Sequence, residues 1–487
     1  MNENNLTGSW SIPDGKSYPG QLCIDHKTGN ITLEIYGTDY INGVEIDLNN
    51  DILGKRRVGY FNYLWGNSTP YGRITLVGCN WRALSHIGNE LFSIKYDAAF
   101  LLSGIHITAK SDFLIKSGRF SFPYLGSFYA GFNHVSMSNR ETELQNIEQV
   151  SEHILQVTEE LKLSFNTVIS RTILEFTVSS KTEINDFLTF QYLVEVPFSR
   201  LMADAFRFRK LLEFSYGEPL THQIHSVEIH DSQLAPHLGE KLNKDGVGYY
   251  VTSFTLSENK KIERGLHNQN HMLLSNWQLS TESLDNVIIK WYQNGHLNNI
   301  YDYYLDSNNW FQGIKEVKLS NVMFNNRFLN LIQGLEDYYR EFLESGKTAL
   351  DRQEFEDKKK KVLSHIKQAE LKKWLNNTFK APQYASLEEK LTTIVGECLP
   401  VINAVFQSLD WTVFPVSAKD FRNKLSHGMN KNTNLGQGLT LDYHIAQLLL
   451  CICILKSLEI PYIVNLIKTN YKMQETVGTI RRLQKSI

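Results

Sequence analysis

The chain has 487 residues, 42% apolar and 21% charged, with a formal net charge of −2. This balance excludes a disordered chain and a collagen-like one, and the length requires two or three domains rather than a single core. Charge is unevenly spread: residues 318–487 hold 24 Lys and Arg against 17 Asp and Glu, and residues 1–317 hold 26 against 35. Any polyanion is therefore expected at the basic C-terminal part, although Lys358 to Lys361 and the Arg481-Arg482 tail also read as ordinary solvated faces.

Five scattered cysteines without a CxxC pair indicate neither a disulfide framework nor a cysteine zinc site. Met1-Asn-Glu-Asn-Asn lacks the basic and apolar regions of a signal peptide. The longest apolar run, Leu448 to Leu455, is too short to span a membrane and reads as a buried helix. A cytoplasmic protein without a membrane partner is the expectation.

Residues 1 to about 135 read as β-structure. Gln21-Leu-Cys-Ile-Asp, Asn30-Ile-Thr-Leu-Glu-Ile-Tyr, Gly72 to Cys79 and Phe92 to His106 are rich in β-branched and aromatic residues, with turn clusters between them. A sandwich or barrel-like sheet follows. Leu144, Ile147, Val150, Ile154, Val157 and Leu161 stand at helical spacing, which predicts a helix from Asn139 to about Leu163. Strands are predicted over Arg171–Val178, Phe187–Val196, Ser226–His230 and Tyr249–Leu256, and a helix over Phe198–Phe214 behind Pro197.

From Ser283 the helical period dominates. Asn321–Leu343 is predicted as a long helix with Phe324, Phe328, Leu331, Ile332, Leu335 and Tyr339 inward. Ser345–Lys361 reads as a loop or the solvent-facing start of a helix. Helices follow at Val362–Leu375 and Leu387–Val395, and a nearly all-apolar one at Leu441–Leu458 reads as the centre of a bundle. The fold class is thus α+β. Residues 1–316 form a β-rich part, with any subdomain break near 136–170, and residues 317–487 form an all-α part.

One stretch carries chemistry: Ser417-Ala-Lys-Asp-Phe-Arg-Asn-Lys-Leu-Ser-His-Gly428. Pro415 before it, Ser417 as N-cap, Asp420 at the capping-box position and Gly428 as a stop predict a helix. At about 100° per residue, Ala418, Phe421, Leu425 and Met429 point inward, Asn423 and His427 outward, and Arg422 to the edge of the apolar stripe. The histidine can take the proton of a ribose 2′-hydroxyl or give one to the leaving oxygen. The arginine fork can hold a phosphate and its transition-state charge, and Asn423 can orient either group. With Arg422 off to one side, a single copy looks like half a site. A plain surface histidine is the alternative.

Arg422-Asn423-Lys-Leu-Ser-His427 matches the R-N-x-x-x-H signature of the HEPN ribonucleases. Leu335-Glu336-Asp-Tyr-Tyr on a long helix and the apolar last helix are similar too. Behind a β-rich region opening Gly8-Ser-Trp-Ser-Ile-Pro and Gly20-Gln-Leu-Cys-Ile-Asp, this arrangement resembles the ApeA-like proteins of antiphage defence. The resemblance implies a dimerising helical domain and metal-independent endoribonuclease activity, with Arg422, Asn423 and His427 as catalytic residues and no cofactor. It also implies an RNA substrate, a homodimer and restraint until infection. The N-terminal region becomes the candidate sensor of a phage-derived trigger. The competing reading is a non-catalytic HEPN scaffold or RNA-binding sensor; a third makes the β-rich region a carbohydrate or protein binder.

Other constellations carry less. His222, His225 and His230 lie on strand-like sequence with 225 and 230 on opposite faces, and His267 with His271 lacks a carboxylate partner, so neither set is taken as a metal site. The aromatics from Phe120 to Phe132 could stack bases or sugars, but sheet core is the simpler reading.

Overall fold

The computed structural model describes residues 3–11, 17–25, 30–37, 60–69, 72–87, 91–107, 113–129, 148–173, 180–217, 219–220, 222–230, 249–256, 272–275, 278–307, 321–344, 347–378, 385–406, 410–426 and 436–485. The chain divides into two compact units. The first comprises residues 1–213, 219–268 and 275–277; the second comprises 214–218, 269–274 and 278–487. The helices between 281 and 307 thus cluster with the second unit, ahead of the boundary read at 316.

In the first unit, strands β1 (Glu3–Ser11), β2 (Ser17–Asp25), β3 (Ile31–Gly37), β4 (Tyr60–Ser68), β5 (Gly72–Ile87) and β6 (Leu91–Ser103) form a closed barrel. Their order is β3-β2-β1-β4-β5-β6, and β6 pairs back onto β3. Closure leaves no edge among these six strands. Alternation fills the interior: along β3, Ile31, Leu33 and Ile35 are buried and the residues between them are not. Trp10 is fully buried, and two glycines make room for it. A Cβ on Gly66, its partner across β1 and β4, would stand 2.1 Å from the indole, and one on Gly20 would stand 2.8 Å away.

The sheet continues through β7 (Leu114–Ser121), β8 (Glu148–Gln156), β9 (Leu161–Ile173), β10 (Ser180–Pro197), β11 (Gln223–His230) and β12 (Tyr249–Leu256), in the order β12-β11-β7-β10-β9-β8, joined to β6 through β12. The short helix α1 (Leu125–Phe128) follows β7, and α2 (Phe198–Tyr216) packs on this part of the sheet. Leu201 of α2 fills the space over Gly118, and Phe208 meets Phe122, Phe128 and Phe190 edge-on. Phe120, Phe122, Phe128 and Tyr129 are all buried here. Phe132 lies outside the described residues.

The helix expected at Asn139–Leu163 is replaced, over its described part, by the hairpin β8–β9. Leu155 and Val157 are buried and Ile154 is 53% exposed, a period of two. The apolar residues also match a helical spacing, but the turn at Thr158–Glu160 lets the Val157 N–H bond Leu161 O at 3.0 Å. The cross-strand ladder then wins over the local pattern. Asn139, Leu144 and Ile147 lie outside the described residues.

The second unit is helical: α3 (Thr281–Gln293), α4 (Gly295–Ser307), α5 (Asn321–Tyr338), α6 (Lys347–Ser364), α7 (Ala369–Thr378), α8 (Leu387–Val405), α9 (Val413–Ser426), α10 (Gly436–Ser457), α11 (Ile463–Thr469) and α12 (Tyr471–Gln484). Every residue from Leu448 to Leu455 of α10 is buried, and α4, α5, α8, α9 and α12 pack around that helix. By length and hydropathy α10 would cross a membrane, but 72% of its apolar window is buried inside the bundle. The thiols of Cys398 and Cys453 lie 3.8 Å apart in this core, both free.

Helix α5 ends in a π-helical turn, Tyr339–Leu343, and Tyr338 rather than Tyr339 is buried. The single helix expected at Val362–Leu375 is interrupted at His365–Gln368. Ser364 Oγ and His365 Nδ1 both lie 2.7 Å from Lys361 O, so side chains compete for a carbonyl the helix would use. Ser386 and Glu389 close a capping box at the start of α8, and Pro400 lies within that helix.

Candidate active site

The signature stretch lies on α9, which starts earlier than the sequence suggested. Asp410 Oδ1 accepts hydrogen bonds from the Thr412 N–H (3.0 Å) and hydroxyl (2.6 Å), turning the chain into the helix at Val413. Pro415 falls in the first turn, where its missing N–H costs nothing because that donor has no intrahelical partner. Ser417 is therefore not the N-cap. It sits in the second turn, its hydroxyl 2.6 Å from Asp442 Oδ2 on α10. Burial pushes the Asp442 carboxyl up to about 7, and the bond from Ser417 opposes part of that rise.

Beyond Ser417 the outline matches the helical wheel. Ala418 is fully buried, Phe421 and Leu425 are half-buried, and Asn423 and Lys424 are exposed. Phe421 packs against the start of α10, where a Cβ on Gly438 would stand 3.3 Å from the ring. The Lys424 ammonium lies 5.6 Å from the centre of the same ring.

Arg422 occupies the edge position, half-buried, with Nη2 4.0 Å from Glu336 Oε2 on α5. The other Glu336 oxygen is 3.3 Å from Lys390 Nζ on α8. One carboxylate thus stands between two cations from two further helices, and Lys419 pairs with Glu388 of α8 at 2.7 Å. These contacts fix where α9 lies against α5 and α8, and leave Asn423 facing outward. His427 lies outside the described residues, one position past the end of α9.

Glu336, Lys390 and Asp442 are the residues that sequence reasoning missed. Glu336 belongs to the Leu335-Glu336-Asp-Tyr-Tyr segment, but only the packing of α5 against α9 shows that it faces Arg422. The arrangement offers a phosphate the exposed part of a guanidinium, which can donate two parallel hydrogen bonds to it.

Residues 5–291 match the family model described as ApeA N-terminal domain 1, and residues 329–462 match the Apea-like HEPN model. The chain belongs to the ApeA-like HEPN family. No curated protein and no solved structure matches it. An ApeA-like HEPN protein has a nuclease-type role in antiphage defence, and HEPN domains commonly dimerise and bind RNA. The HEPN match includes Glu336, Lys390, Arg422, Asn423, His427 and Asp442.

The histidines of the first unit of this ApeA-like protein stand in separate surroundings. His222 is buried among the rings of Phe120, Phe122 and Phe206, with no hydrogen-bond partner on either nitrogen. Burial, then the nearby Arg209, lowers its pKa to about 4. His225 instead bonds Ser121 Oγ at 2.9 Å. Among the described residues no three His, Cys, Asp or Glu side chains converge as a metal site; His267 and His271 lie outside them.

Proposed function

We propose that this ApeA-like HEPN protein is an endoribonuclease that cuts RNA when infection triggers it. A 2′-hydroxyl loses its proton and attacks the adjacent phosphorus; the bond to the 5′-oxygen breaks and that oxygen leaves with a proton. The products are a 2′,3′-cyclic phosphate and a 5′-hydroxyl. His427 is the proton carrier, suited by an imidazole's change of charge near neutral pH. Arg422 holds the phosphate and the charge that builds on it, and Asn423 orients the imidazole or a phosphate oxygen. The charge stabilisation comes from the guanidinium, so the reading requires no metal.

The observation that carries this reading is Arg422 itself, half-exposed at the edge of α9 and backed by Glu336, with Asn423 exposed beside it. One α9 supplies Arg422 half-exposed and Asn423 exposed, which favours a site completed by α9 of a second chain. Residues 1–316 are then the region that senses a phage-derived trigger and residues 317–487 the nuclease.

The test is full-length wild type against Arg422→Ala and His427→Ala on end-labelled total RNA with EDTA, with and without extract from phage-infected cells. Cleavage by wild type alone, leaving cyclic phosphate ends, is the expected result. Equal background cleavage by all three proteins with and without the extract would refute the reading.

A further inference from the structure

From Phe355 on, the hairpin α6–α7 contributes nothing to the core. From Phe355 to Thr378 no residue is buried, and among the described residues the main packing partner of each helix is the other. An arm held so loosely to the fold is stable only through its own short interface, so a role in folding does not account for it.

Its surface is specific in kind. Between residues 358 and 374 it carries seven lysines and one acidic residue, a concentration of positive charge far above that of the chain as a whole. On the same arm Trp374 is 60% exposed, with Leu371 one turn before it at 47% and Val362 at 51%. The Lys359 ammonium bonds Asn376 O at 3.2 Å, which sets the lysine run of α6 level with the turn of α7 that bears Trp374. A large aromatic face left in water beside clustered cations is what a flexible polyanion with unstacked bases would use.

Its place in the second unit links it to Arg422. The arm begins eleven residues beyond Glu336 and ends twelve residues before Lys390, and those two residues and Arg422 form the ion-pair cluster of the site. At ~1.5 Å per residue, α6 gives the arm a length of ~27 Å, enough to follow several nucleotides.

We infer that α6–α7 is a single-stranded RNA-binding arm, in which lysines 360, 361, 372 and 373 engage phosphates and Trp374 stacks on a base. The assignment extends the nuclease reading above and rests on it for the identity of the polyanion. Duplex RNA keeps its bases stacked on one another, so Trp374 distinguishes single strands from duplexes.

The test uses the full chain carrying His427→Ala, so that RNA is bound and not cut. Fluorescence anisotropy with a labelled single-stranded RNA and with the matching duplex is recorded between 50 and 300 mM salt. Lys→Gln at 360, 361, 372 and 373 together is expected to weaken binding by at least tenfold and to lower the salt slope by about 3. Trp374→Ala is expected to weaken single-strand binding by roughly tenfold, leaving the slope and duplex binding in place, and Trp374→Phe to restore most of the loss. All three arm variants should melt at the parent's temperature, because none of these side chains is buried.

Binding equal to the parent's in both the Lys→Gln and Trp374→Ala proteins would overturn the assignment, as would absence of RNA binding by the parent. A shift in sedimentation with RNA affinity intact would make the arm a protein-docking element and overturn it equally. Cleavage is measured apart, with His427 restored. Arm-independent binding beside Arg422-dependent cleavage refutes only the arm, and arm-dependent binding without any cleavage refutes only the nuclease.

Discussion

The Ser417 hydroxyl lies 2.6 Å from Asp442 Oδ2 and ties the second turn of α9 to the central helix α10. The helix that bears Arg422 is thus anchored to the bundle five residues upstream of it by a part-buried hydrogen bond. Glu336 of α5 and Glu388 of α8 pair with its Arg422 and Lys419.

Asp442 makes stability depend on pH. Its carboxyl is pushed up to about 7 in the folded chain from an ordinary 3.8, because burial disfavours the charged form. Below pH 4 both states bind the proton and there is no penalty. Between the two values the unfolded chain releases it and the folded chain does not, so stability falls by about 1.4 kcal/mol per pH unit and levels off above 7. Asp442→Asn keeps an acceptor for Ser417 and removes the slope. Its melting temperature should match the wild type at pH 4 and exceed it by several degrees at pH 8; a difference constant with pH would exclude this account.

His222 has the opposite sign. Its folded pKa lies near 4, below the usual 6.5, so the unfolded chain binds a proton first as pH falls and stability drops between 6.5 and 4. Phenylalanine fits among Phe120, Phe122 and Phe206 and leaves no ring nitrogen unsatisfied. His222→Phe should stabilise the first unit by about 1–3 kcal/mol at pH 7 and by more at pH 5. Urea unfolding at the two pH values measures both gains.

Arg422→Lys keeps the charge but loses the fork. On the nuclease reading it should cut kcat by roughly 10²–10³-fold, close to the alanine variant, because a point charge cannot hold two phosphate oxygens at once. His427→Ala should lose about 10²–10⁴-fold. A lysine variant with near-normal kcat would mean that Arg422 supplies only attraction.

Glu336 is a positioning residue. Glu336→Gln leaves Lys390, 16% exposed, without its charge partner and frees Arg422 to rotate. We expect a loss of about 1–2 kcal/mol in stability. We also expect a drop in kcat/KM that added salt does not repair. Unchanged cleavage with lowered stability would confine Glu336 to packing.

In the barrel, Gly66→Ala sets a methyl group into the Trp10 ring. Overpacking of this kind costs about 1–3 kcal/mol. Trp10→Phe in the same chain should recover part of it, and calorimetry of the single and double variants reads the coupling.

Much of the design is legible in single residues. The alternation Ile31, Leu33, Ile35 announces a one-sided strand, and the unbroken run Leu448–Leu455 announces a helix buried all round. Arg422 and Asn423, with His427 four residues further on, carry the R-N-x-x-x-H spacing on which the proposed chemistry rests. Ile154 and Val157 mislead, because three-residue spacing fits a helix face and a turn between strands alike, and only the partner strand β9 chooses. Ser417 and Pro415 mislead for a related reason: a good cap residue and a proline near a helix start fix the start only within a turn, and Asp410 decided it.

What the sequence by itself determined is the local code: which stretches bury one face, where the helices carry charge, and which residues form the signature. The tertiary structure alone decided that β6 closes onto β3, that Asp442 receives Ser417, and that Glu336 stands between Arg422 and Lys390. It also left residues 355–378 of α6–α7 outside the core. Those outcomes depend on pairs of residues far apart along the chain, whose contact free energies exist only once both elements have packed, and no local period encodes them.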